Sequence, residues 1–93
     1  MIIGCATVFI HVPWVHSLKE KRIIVKSLCA KVSNKFNVSI AEVEHQDLHQ
    51  SIGLGFACVT TDSSVANSMI DTILNFIESN TEGEIIEVER EIL

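Results

Sequence analysis

Histidine, carboxylate and basic side chains recur in this chain at spacings that chemistry can use. His45, Asp47 and His49 stand at every second position. An extended segment would project all three from one face, and two imidazoles with a carboxylate are donors that zinc accepts. His11 and His16 could lie near them. A zinc site also needs a defined fourth ligand and hydrogen-bonded supports for its imidazoles, and His45 to Gln50 reads more simply as a polar connector. No metal and no cofactor is therefore expected. Cys5, Cys29 and Cys58 are odd in number and far apart, which fits small buried thiols in a reducing compartment better than a disulfide frame. Each falls in an apolar strand or on a helix flank, where a thiol's pKa rises, so none is read as a nucleophile. Gly53-Leu54-Gly55 is too short for a phosphate-binding loop. The pair Glu42 and Glu44 reads as a solvent-facing strand edge that discourages aggregation. No catalytic residue is assigned, and the chain reads as non-enzymatic.

The basic residues are segregated. Six of the seven lie between positions 17 and 36, against Glu20 alone, while the rest of the chain sets eleven acids against Arg90; the net charge is −5. The whole chain is therefore no nucleic-acid binder by charge, but one segment of it has the composition for phosphate contact. Lys19, Lys21, Arg22 and Lys26 are the candidate phosphate- or RNA-binding set. They sit near a helix start, where free amides and the helix dipole favour anions. That helix carries no aromatic beside them for base stacking. Phe9 and Phe56 lie in strands, but the aromatic signature of an RNA-recognition motif is absent.

The elements that position these groups can be read in order. Residues 2–12 form an apolar, β-branched run ending before Pro13, as a central strand does. Its even positions include Gly4 and Ala6, small enough for close helix packing, so the even face is placed under the helices. Trp14 follows as a half-exposed packing ring. Ser17-Leu18-Lys19-Glu20 is a capping box, with Ser17 accepting at the helix start and Glu20 reaching back to the Ser17 amide. The helix runs to about Phe36 with Leu18, Val25, Leu28, Val32 and Phe36 on one stripe. Asn37 closes it. A half-buried strand occupies 38–44, a connector 45–50, and a third strand 52–61, where Gly53 and Gly55 point to a bulge or a close backbone approach. Asp62 caps a second helix over about 63–79. A turn at 80–83 leads to a final alternating strand, 84–93.

Strand, helix, two strands, helix, strand is the split-βαβ order. It predicts an α+β, ferredoxin-like βαββαβ domain over residues 1–93, with two helices on one face of a four-stranded antiparallel sheet. With Gly55, Ala57 and Val59 placed under the helices, Leu54, Phe56 and Cys58 would join Ile3, Cys5 and Phe9 on the open face. Such an apolar patch predicts a homo-oligomer or partner interface. Apolar runs are too short to span a membrane, and the first residues lack the basic start of a signal peptide, so a cytoplasmic location is expected.

Residues 1–14, Ser17-Leu18-Lys19-Glu20-Lys21-Arg22, Phe36 to Val43 and Gln46-Asp47-Leu48 together resemble the YlxP-like family of small bacterial proteins of unknown function. The resemblance extends to the segment around Phe76 and to the closing Glu91-Ile92-Leu93. It implies a ferredoxin-like fold. The family's genes lie in settings similar to those of translation initiation and ribosome maturation factors, which implies an RNA or ribosome context. No catalytic residue is carried over. Ile23 and Cys29 depart from the family's basic or polar pattern and thin the basic face. The reading is a binding module for RNA or the ribosome through the first helix, with homo-oligomeric interaction through the open sheet face as the alternative.

Overall fold

The computed structural model describes residues 1–93. Strand β1 (Ile2–His11) leads to helix α1 (Leu18–Lys35), strands β2 (Ser39–Glu44) and β3 (Ser51–Thr60), helix α2 (Ser63–Asn80) and strand β4 (Glu84–Ile92). The sheet order is β2-β3-β1-β4 with every pairing antiparallel, and both helices pack on one face of it. This is the ferredoxin-like architecture predicted from the element order. No helix is long and apolar enough to cross a membrane.

Both helix starts follow from local chemistry. Ser17 Oγ accepts from the Glu20 amide at 3.1 Å. Glu20 reaches one residue further back than the capping box predicts, accepting from the His16 amide at 3.3 Å. Asp62 accepts from the Ser64 hydroxyl at 2.7 Å and from the amides of Ser64 and Val65, which together hold its carboxyl below the ordinary range.

The core lies between sheet and helices. From β1 come Ala6, Val8 and Ile10, from α1 Leu28 and Val32, and from α2 Ile70, Ile73 and Ile77, all nearly inaccessible to water. Gly4 lies under α2, where an added Cβ would be 3.1 Å from the Ala66 Cβ. The even face of β1 is thus the helix face, as its small residues require.

The third strand corrects the sequence reading. Leu54, Phe56 and Cys58 are buried beneath the helices, at 0%, 3% and 1% exposure, and are not on the open face. The register explains it. Ala6 pairs with Phe56 and Val8 with Leu54, and directly paired residues project to the same side, so the even residues of both strands point inward together. Gly53, Gly55 and Ala57 therefore face outward. Their smallness does not serve a helix above them. β2 bulges between Glu42 and Glu44 and leans over β3 at this point. A Cβ on Gly53 would come within 2.5 Å of the Glu44 Cβ, and one on Gly55 within 2.8 Å of Val43 Cγ2.

Candidate functional site

Helix α1 separates its basic residues by angle. At 100° per residue, Lys19, Arg22 and Lys26 share a face turned away from the sheet, and all three are exposed. Lys21 points the other way and is fully buried. Its ammonium donates to the carbonyl oxygens of His45 at 2.7 Å and of Gln46 and Ser51 at 3.3 Å each. Glu42 Oε2 lies 2.8 Å away, in an ionic contact without hydrogen-bond alignment. The proposed phosphate-binding set thus loses Lys21, because its charge is already spent inside the fold. Sequence periodicity carried the signal. Lys21 lies within about 20° of Leu28 and 20° of Val32, in the middle of the apolar stripe.

Lys21 acts as a clamp on the connector between β2 and β3. That connector turns through His45, which has a positive φ of 57°. A non-glycine residue holds this conformation when its surroundings impose it. Here the His45 carbonyl is tied to Lys21, and its ring lies 5.2 Å from the Phe9 ring at a 48° tilt.

The remaining α1 cations have no carboxylate partner. The two ion pairs of the fold are Lys21 with Glu42 and Arg90 with Asp71, neither of which involves Lys19, Arg22 or Lys26. Lys35, at the far end, sits 5.5 Å above the Phe76 ring.

The connector histidines do not assemble a metal centre. His11, Asp47, His49 and Gln50 line a shallow hollow of about 300 Å³, and His11 Nδ1 is 3.2 Å from the Gln50 carbonyl oxygen. No three His, Cys, Asp or Glu side chains converge closely enough to hold an ion. The three cysteines are free thiols. Burial, with repulsion from Glu42, pushes the Cys29 thiol up.

The open face of the sheet holds the larger hollow, about 440 Å³. Ile3, Cys5 and Phe9 lie on this face, half-buried, as the alternation of β1 predicts. Their β3 neighbours are Val59, Ala57 and Gly53. The result is a trough floored by Cys5, Thr7, Gly55 and Ala57, with Ala41 and Val43 along β2 and Glu89 and Glu91 along β4. Glu89 is crowded. A hydrogen bond shared with Glu87, partial desolvation and repulsion from Glu87 and Glu44 hold its carboxyl above the ordinary range.

A ferredoxin-like domain with one free basic helix face and one open sheet trough is the class that the geometry defines. The chain belongs to the family described as "Protein of unknown function (DUF503)", whose profile matches residues 3–90. It is 41% identical over 68 residues to the uncharacterized protein YlxP of Bacillus subtilis (strain 168), covering 73% of this chain and 74% of that protein. It is therefore a YlxP-like protein. Among solved structures, it is similar to the solution structure of a de novo designed protein with ferredoxin fold, at a TM-score of 0.58 and 15% identity, over 99% of this chain and 84% of that one. That likeness is one of fold alone.

Proposed function

We propose that this YlxP-like chain is a non-enzymatic binding module that contacts the phosphate backbone of RNA through the outer face of α1. The carrying observation is that Lys19, Arg22 and Lys26 are exposed on one helical face without a carboxylate partner, in a chain with twelve acids. Cations left unpaired in an acidic protein keep their charge available to an outside anion. The family's resemblance-implied setting among translation factors favours structured RNA or a ribosomal subunit as that anion. With Lys21 committed to the connector, the contact reduces to three phosphates. Binding should then fall with salt along a log–log slope of roughly −2 to −3. Phosphate contacts position without specifying, so sequence preference should be weak.

The test is binding to structured RNA and to ribosomal subunits across a salt series, with wild type and Lys19→Ala/Arg22→Ala/Lys26→Ala. Salt-dependent binding that the triple variant loses supports the reading. Absence of binding at low salt, or equal binding by the triple variant, overturns it.

A further inference from the structure

The open sheet face is independent of α1 and calls for a different partner. We propose that it docks a cationic amphipathic helix presented by a protein partner. The floor of the trough is made of small side chains, Cys5, Thr7, Gly55 and Ala57, so it recedes where an ordinary β-sheet would present bulk. Val43 and Val59 stand beside it at 47% and 65% exposure, apolar surface with nothing of this chain to cover it. The span from β2 to β4 is three strand spacings, about 14 Å. A helix with its side chains is about 10–12 Å across, so one helix fits between the two rims.

Charge selects the occupant. Glu44 stands on the β2 side, paired with Gly53, and Glu87, Glu89 and Glu91 lie in a row on the β4 side, paired with Phe9, Thr7 and Cys5. No cation of this chain neutralises them. Arg90 projects to the helix side of the sheet, where it bonds Asp71 and Asn67. The exposed lysines of α1 are across the sheet. A helix with leucine or alanine toward the floor and lysine or arginine toward both rims would fill the hollow and relieve the crowding of the acids. A polyanion is repelled by the same rims, and a second copy laid face to face would set two acidic rows against each other.

The experiment titrates a synthetic amphipathic peptide of leucine, alanine and lysine, about 18 residues long, into the isotope-labelled full chain. Affinity is read by fluorescence anisotropy and location by backbone amide shifts. Shifts are expected at Cys5 to Thr7, Gly55 to Ala57 and Glu87 to Glu91, and not along α1. Ala57→Phe fills the trough without changing charge and should weaken binding by at least about tenfold. Glu89→Lys/Glu91→Lys, a surface change that leaves the floor intact, should do the same. Glu78→Lys on α2, off the trough, should change affinity by less than about twofold. Four results would overturn the proposal: no peptide binding at about 100 µM; equal binding by Ala57→Phe or by the rim variant; equal binding of a leucine–alanine–glutamate peptide; or concentration-dependent self-association that shifts the trough residues, which would make the occupant a second copy. Loss of RNA binding in the α1 variant leaves this result untouched, so the two readings fail separately.

Discussion

The outer face of α1 and the open face of the sheet are the two surfaces this fold leaves unfinished, and they are unfinished in opposite ways. On α1 three cations stand free on a convex helix face. On the sheet, acids crowd the edges of a concave surface whose floor is small and apolar. The first can attract an extended polyanion but cannot enclose anything. The second can enclose a segment but repels polyanions. The difference teaches where charge is used: Lys21 and Arg90 form the two ion pairs of the fold, and the other basic residues pair with no carboxylate.

The sharpest way to break this division is to remove Lys21. Lys21→Met leaves the Glu42 carboxylate, 15% exposed, without its counterion and three carbonyls without their donor. Removing one partner of a buried pair costs about 3–5 kcal/mol, so urea unfolding should show a large loss of stability and hydrogen exchange an early opening of residues 45–50. Adding Glu42→Leu should return part of it, since the stranded carboxylate is gone. If Lys21 instead served RNA, its loss would weaken binding and leave unfolding unchanged.

The trough depends on glycine, and two substitutions separate the reasons. Gly53→Ala drives a Cβ against the Cβ, Cα and carbonyl oxygen of Glu44, at 2.5 to 3.1 Å, so the β2 bulge must move. A loss of about 1–3 kcal/mol by denaturant titration is expected. Gly55→Ala meets only the Val43 side chain, which is half exposed and free to turn, and should cost less. Equal costs would mean that the bulge is not what excludes the Cβ.

On the α1 side, each of Lys19→Ala, Arg22→Ala and Lys26→Ala should shift stability by no more than about 0.5 kcal/mol, while each lowers the salt slope of RNA binding by about one unit. A clear stability loss in any of them would show that the cation is paired in solution and not free.

The smallest effect sharpens the acidic side. Because the folded chain holds the Glu89 proton above its ordinary pKa, stability declines as pH rises from the ordinary carboxylate range through that raised value. Glu89→Gln should abolish this decline. The variant should be more stable than wild type at pH 7 and equal to it below about pH 3, where the carboxyl is protonated in both folded and unfolded chains. Asp62 runs the other way: its lowered pKa supplies stability at neutral pH that is lost on acidification, and Asp62→Ala should lower the melting temperature at pH 7 more than in acid.

Much of the architecture was legible from local pattern. The capping box at Ser17, the cap at Asp62, the buried even face of β1 and the order of the six elements depend on residues close together in the chain. The exposed trio Lys19, Arg22 and Lys26 follows from helical angle alone. The candidate interface was legible by half. Ile3, Cys5 and Phe9 were placed correctly from alternation within β1, whereas Leu54, Phe56 and Cys58 were misplaced because alternation in β3 allows two opposite faces and its glycines were assigned to helix contact.

Sequence by itself therefore determined the elements, their order and the inward side of the first strand, since caps and periodicities are set by neighbours a few residues apart. The tertiary structure alone decided the rest. The β1–β3 register sets even residues against even, which buries Phe56 and opens Gly55. The β2 bulge supplies the crowding that makes Gly53 and Gly55 necessary. The fate of Lys21 depends on carbonyls 24 to 30 residues away, brought to it only when the connector folds back over the start of α1. An ammonium can meet water or a buried cage of oxygens, and which of the two it meets is a fact of the folded chain.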